Sequence, residues 1–218
     1  MINNNQIPTQ PGSQPASIKR FSPGCIIGVI AVVAVLIILI IVVSVIFGGR
    51  NTMVTREIEV EKAWSQVLNV YQRRLDLVPN LAEATKGYMQ MEKDVFEAIA
   101  AARAGILNAQ TPAEVENISN QVEPKISSFI RDLNVVVEDT PELKASNVIK
   151  DLMVQLEGTE NRIAVERMRY NEAVQSYNTY IRLFPNNFVA GLFGFTPKEF
   201  FKAEAGAETA PQIDMSLD

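Results

Sequence analysis

The chain begins with a polar stretch, enters an unbroken apolar run, and continues as apolar positions spaced three and four apart. From Cys25 to Phe47 there are 23 residues without a charge on any face. At about 1.5 Å of rise each they reach roughly 34 Å, enough to cross a hydrocarbon core of ~30 Å. A buried core helix would carry polar positions, and this run offers no polar face. A cleaved signal peptide would also follow Lys19 and Arg20. Its apolar part is usually about 7–15 residues, however, and Ile46-Phe47-Gly48 makes a poor cleavage site. Residues 25–47 are therefore read as an uncleaved transmembrane helix. Cys25 precedes the aliphatic residues rather than following them, unlike the cysteine of a lipoprotein signal.

Past Gly48-Gly49 an apolar ladder runs Val60, Trp64, Val67, Tyr71, Leu75, Val78, then Leu81, Ala84, Tyr88, Met91, Val95, Ala98, Ala102. This is the heptad-like spacing of helices packed in a bundle. Pro79 interrupts it with about one residue of slip, which favours a kink in one long helix over a hairpin at Pro79-Asn80. Thr111-Pro112-Ala113-Glu114 has the form of an N-cap, an N1 proline and a capping-box glutamate. It opens a helix along Val115, Ile118, Val122, Ile126, Phe129, Leu133 and Val136, with a bend expected at Pro124. Thr140-Pro141-Glu142 opens the last long helix, of about 40 residues, through Ile149, Leu156, Thr159, Ile163, Glu166, Tyr170, Tyr177 and Ile181. No segment of strand length alternates with period two. The expected fold is all-α: one N-terminal transmembrane helix followed by a long antiparallel, coiled-coil-like bundle over residues 50–183.

From Phe184 the character changes. Residues 184–202 form a Phe-rich segment holding six of the ten phenylalanines, and Thr196-Pro197-Lys198-Glu199 predicts a further short helix carrying Phe200 and Phe201. Residues 1–24 and 203–218 have the composition of disordered tails.

Charge and composition then exclude several functions. The net charge of −5 and pI near 5.0 provide no basic field for nucleic acid. There is no His and only one Cys, which removes zinc, haem and Cys–His chemistry from the bundle. No phosphate-cradling glycine loop or Ser–His pair is present. The chain is expected to have no catalytic residues, metal or cofactor, and not to be an enzyme.

Candidate contacts remain. Gly87, Gly105 and Gly158 are read as places of close helix approach within helices. Arg73 and Arg74 make too small a patch for lipid recruitment and are read as a solvated helix face, with Arg73 pairing Asp76 at i,i+3. Glu157-Gly158-Thr159-Glu160-Asn161-Arg162 is a polar stretch inside the last ladder, and it puts Thr159, and later Glu166, where the ladder wants an apolar residue. Paired carboxylates there admit acid–base chemistry, but a polar layer fixing helix register, satisfied by Arg103 or Arg162, is the stronger reading. Phe193, Phe195, Phe200 and Phe201 either plug the end of the bundle or present an apolar patch to a membrane or a second subunit. Trp64 leads the ladder surface 64–78.

Lys19 and Arg20 lie close to the apolar run, whereas Arg50, Arg56 and Lys62 stand farther off among glutamates. The nearer pair favours the tail inside and the helical domain outside, on the exoplasmic or periplasmic face.

Ala63-Trp64-Ser65-Gln66 is followed by RRLDLVPNLAEATKGYM (73–89), Ala102-Arg103-Ala104, and Pro141-Glu142-Leu143-Lys144-Ala145. The series continues through QLEGTENRIAVERMRYNEAVQSYNTYI (155–181) to Phe184-Pro185 and Gly194-Phe195. In these motifs, which cover about residues 50–201 in order, the sequence resembles the LemA family of bacterial membrane proteins. Two departures stand out: the tail before the apolar run is longer than usual, and Met89-Gln90-Met91-Glu92 replaces a His-Glu that many relatives carry. The resemblance implies an anchored helical bundle without established catalysis, some relatives being encoded near membrane metalloproteases. The expected role is a cell-envelope scaffold that self-associates through its bundle, with the lipid bilayer and further copies as partners. The alternative is an adaptor or regulator of a membrane protease or envelope signalling protein.

Overall fold

The computed structural model describes residues 23–202, so the expected tails at 1–24 and 203–218 fall outside it, apart from the two residues that open the first helix. That helix, α1, runs from Pro23 to Thr85 and passes unbroken through Gly48-Gly49. The chain divides between Val45 and Ile46 into two units. In the first, the described aliphatic side chains stand exposed all round, and no residue of an 18-residue window of mean hydropathy 3.6 is buried. Among the described residues this is the one helix long and apolar enough to cross a membrane.

The second unit is an all-helical bundle. Its α1 portion buries Met53, Val60, Val67, Tyr71, Leu75, Val78 and Leu81, the seven-, four- and three-residue intervals of one helix face. Pro79 lies inside α1 and does not end it. An interior proline costs about 3 kcal/mol. Leu77, Val78 and Leu81 beside it are all at most 1% exposed, and burying each is worth roughly 1.5–3 kcal/mol. Packing offsets the local penalty.

The helix does end soon afterwards, where the ladder predicted continuation to Ala102. The Thr85 hydroxyl donates back to the Leu81 carbonyl at 2.9 Å, and the Thr85 carbonyl accepts from Tyr88 and Met89 amides, closing a turn. Ala84 and Tyr88, expected in the core, are exposed, and Gly87 lies in this turn rather than in a helix. The next helix, α2, spans Lys93–Asn108. The intervening residues 86–92 number seven, one heptad, so the apolar phase carries across a break that periodicity alone cannot register.

α2 buries Val95, Ile99, Ala102 and Ile106 against α3, Pro112–Asp139. The capping box forms as expected, with Glu114 N donating to Thr111 Oγ1 and Thr111 N to Glu114 Oε2, both at 3.3 Å. A Cβ at Gly105 would stand 2.9 Å from Ile118 Cδ1, so here the expected close approach is real. At Gly158 a Cβ would meet nothing within 4 Å. α3 continues through Pro124.

The last long helix starts later than expected. Thr140 opens only a single turn, α4, Pro141–Ala145, and its side chain makes no capping bond. Ser146 is extended (φ −71°, ψ 117°), and α5 then runs Asn147–Arg182. Serine commonly takes this non-helical position ahead of a helix.

Contacts fix the directions. Arg56 meets Ser176, Trp64 meets Tyr170 and Arg74 meets Glu160, so α1 and α5 are antiparallel. Arg167 with Glu116, and Glu123 with Glu160 on either side of Arg74, make α5 antiparallel to α3, and Asp94 with Lys125 and Gly105 with Ile118 do the same for α2 and α3. The result is an up-down-up-down bundle of α1, α2, α3 and α5.

A short helix, α6, spans Asn186–Phe193 and ends at Gly194, whose φ of +77° is the left-handed conformation glycine adopts without strain. The Phe195 amide donates to the Ala190 carbonyl across it at 3.0 Å. Residues 195–202 follow as an extended strap. The helix expected from Thr196-Pro197-Lys198-Glu199 does not form, because the strap's backbone groups are taken by side chains of α5.

Candidate interaction surfaces

Three features of the bundle carry specific chemistry. The first is a polar node around Arg74. Expected as part of a solvated face, Arg74 is 7% exposed. Its Nη2 lies 2.5 Å from Glu123 Oε1 and its Nη1 2.5 Å from Glu160 Oε2. Nη1 also makes a long 3.5 Å approach to Thr159 Oγ1, whose hydroxyl donates to the Leu156 carbonyl. The polar layer is therefore present at Thr159 and Glu160, but Arg74 satisfies it, not Arg103 or Arg162. Arg103 instead pairs Asp76 at 2.8 Å, and Arg73 donates to Gln155 Oε1 at 2.6 Å, which replaces the expected Arg73–Asp76 pair. Glu166 pairs Arg169 at 2.7 Å. Glu157 and Arg162 are exposed. Among the described residues no three His, Cys, Asp or Glu side chains gather in a way that would hold a metal.

The second feature is the seat of the strap. Asn178 Nδ2 donates to the Lys198 carbonyl while its Oδ1 accepts the Lys198 amide, both at 2.9 Å. Asn171 grips Phe201 in the same two-bond way, at 3.1 and 2.9 Å. The tyrosine preceding each asparagine adds a bond: Tyr177 to the Thr196 carbonyl and Tyr170 to the Glu199 carbonyl. Two Tyr-Asn pairs seven residues apart thus read two strap positions three residues apart. The match is geometric. Seven helical residues advance about 10.5 Å and three extended residues about 10 Å. Phe201 fills an aromatic box, 5.9 Å from Trp64, 5.3 Å from Tyr170 and under the Arg167 guanidinium. Lys198 Nζ is held 2.6 Å from Glu57. Trp64 and Phe201 were singled out from the sequence as contact candidates, whereas Asn171, Asn178 and Glu123 were not. The repeated Tyr-Asn was the available signal.

Burial raises the Tyr170 hydroxyl to about 12, helped by Glu199, and the Tyr177 hydroxyl to about 12, helped by Glu57. Unfolded tyrosine ionises near pH 10, so this contribution to stability is whole below about pH 10 and is lost as pH rises towards 12. Tyr170→Phe with Tyr177→Phe is expected to flatten that alkaline fall, measured as urea midpoints at stepped pH. An unchanged slope would assign the fall to other groups.

The third feature is what stays uncovered. The Phe-rich segment divides between the two readings offered for it: Phe195 and Phe201 pack inward, whereas Phe184, Phe188, Phe193 and Phe200 are exposed. On α5, Val154, Val165 and Met168 are exposed along the outer face, in line with Gly158 and Asn161.

The chain is similar to several known proteins. The chain is 25% identical to magnetosome protein MamQ 2 of Paramagnetospirillum magneticum, over 77% of this chain and 71% of that protein. It is 23% identical to MamQ of Magnetospirillum gryphiswaldense over the same shares. Protein LemA of Metamycoplasma hominis is 25% identical, over 67% of this chain and 65% of its own length. The model of the LemA family matches residues 63–215, which includes the Arg74 node, both Tyr-Asn pairs and the strap they hold; the chain is a member of the LemA family.

Proposed function

We propose that this protein is a non-catalytic scaffold, anchored in a membrane by residues 25–47, which self-associates through the outer face of α5. The observation that carries the reading is a second apolar seam on that helix. Val154, Gly158, Asn161, Val165 and Met168 are spaced four, three, four and three, and their side lies away from the buried ladder of Leu156, Ile163 and Tyr170. A helix needs one such seam to fold into its own bundle, and a second is the pattern of a further helix packing against it. Gly158 lets a backbone approach closely, and Asn161 provides the buried polar position that sets register. Copies tethered by one anchor point the same way in one plane. This favours a parallel pairing, with Asn161 facing Asn161, and raises their effective concentration.

In membranes, Val165→Cys on a Cys25→Ser background is expected to give disulfide-linked dimers on mild oxidation. Val165→Asp with Met168→Asp is expected to reduce the light-scattering mass in detergent to that of one chain. Monomer stability should stay within about 0.5 kcal/mol, because both positions are exposed. A native chain that is already monomeric would overturn the reading. If such a monomer also retained a stoichiometric foreign protein, the adaptor reading would take its place.

A further inference from the structure

We infer that the exposed face of α6 lies in the headgroup–acyl boundary of the bilayer, so that the bundle touches the membrane at a second point beside its anchor. The inference rests on the proposal that residues 25–47 span the membrane. Three observations on the bundle itself lead to it.

The face is apolar and unpartnered. Phe184, Phe188 and Leu192, four residues apart, are 78%, 70% and 70% exposed, with Leu183 beside them at 55%. The Phe184 and Phe188 rings meet edge-on at 6.0 Å, which joins them into one patch. The opposite side of α6, Val189 and Ala190, is buried, so the helix is fixed with its apolar side outward. Exposed patches of this kind mark a contact with a partner or a membrane.

The position is set by the chain itself. α6 packs on Gly49: a Cβ there would stand 3.3 Å from Asn186 Oδ1 and 3.8 Å from Val189 Cγ2. The Arg50 guanidinium covers the Phe193 ring at 5.4 Å. Gly49 follows Phe47, the last residue of the apolar run, by only two residues, or about 3 Å of helix. A patch seated on residue 49 is thereby held within two residues of the end of the apolar run. The small residue at 49 is what allows α6 to sit so near.

The charges suit an anionic lipid surface. From Ala173 to Pro197 the chain carries one charge, Arg182, and no carboxylate. On α1, Arg50 and Arg56 come before the first carboxylate after the apolar run, Glu57. Aromatic and leucine side chains with flanking arginines form the composition that settles at a bilayer interface.

The test uses the full-length protein in vesicles of phosphatidylcholine and phosphatidylglycerol, on a Cys25→Ser background. A nitroxide is attached in turn at Leu36→Cys, Leu192→Cys and Val135→Cys. Collision with oxygen, which partitions into lipid, is compared with collision with a water-soluble nickel chelate. Labels at 36 and 192 should favour oxygen several-fold over the label at 135, which is exposed on α3. Phe188→Asp should return the label at 192 towards the aqueous ratio. A lipid-facing label at 36 with a water-facing label at 192 would overturn the docking and leave the anchor intact. A water-facing label at 36 would overturn the anchor, and the docking with it. Shielding of the label at 192 from both reagents, with spin–spin broadening, would give the patch to a second copy and also overturn the proposal.

Discussion

Replacing Asn171 and Asn178 together by alanine is expected to detach residues 195–202 from the bundle. Each amide supplies one donor and one acceptor to the strap's backbone, and the four bonds lie between 2.9 and 3.1 Å. An extended segment has no internal ladder to satisfy those groups. At about 1 kcal/mol net for each bond, the pair of substitutions removes about 4 kcal/mol. Ordering the strap's backbone costs about 1–2 kcal/mol per residue, so its net hold is a small difference between large terms. Hydrogen exchange at the Lys198 and Phe201 amides should therefore quicken by about 10²–10³ while α2 amides keep their protection. Trp64, the only tryptophan, stacks on Phe201, so its emission should shift to longer wavelength as the ring leaves. Unchanged exchange would mean that the aromatic box alone retains the strap.

The strap also marks the limit of what local pattern can reveal. Thr196-Pro197-Lys198-Glu199 satisfies the capping-box rule as well as Thr111-Pro112-Ala113-Glu114 does, yet only the second starts a helix. Both had equal local propensity. What separated them was a tertiary partner for the backbone, supplied by Asn171 and Asn178 from α5, and no window around residue 196 contains that information. The turn at 86–92 was hidden for another reason. Its seven residues preserve heptad phase, so the ladder read through it. By contrast, the apolar run at 25–47, the helix start at Thr111 and the ladders of α3 and α5 were legible, because each depends on its own residues and their spacing. The polar layer was half legible. An unexpected Thr159-Glu160 in a ladder announces a buried polar contact, but the choice among Arg74, Arg103 and Arg162 depends on how α1 and α5 are staggered.

That choice produces an asymmetric effect on stability. Glu123→Gln with Glu160→Gln is expected to destabilise the bundle by about 3–5 kcal/mol, because it leaves a guanidinium buried without its counter-charges. Arg74 is 7% exposed as a residue, and the one hydroxyl left to it, Thr159 Oγ1, is 3.5 Å away and already donates to Leu156. Removing the arginine should cost less. The side chains of Glu123 and Glu160 are 35% and 61% exposed, so without Arg74 they can rehydrate in place. Arg74→Met keeps much of the apolar volume along the ladder between Tyr71 and Leu75, and its cost is chiefly that of the lost ion pairs and bonds, about 1–3 kcal/mol. The decisive variant is the triple substitution. Adding Arg74→Met to the two glutamine changes removes the stranded charge, so the triple variant should be more stable than the double one, although it lacks one more native group. Urea denaturation of the four proteins measures both effects. Additive losses would mean that water reaches Arg74 and that the node is a surface contact; recovery in the triple variant would identify it as a buried charge whose partners are needed mainly to make its burial tolerable.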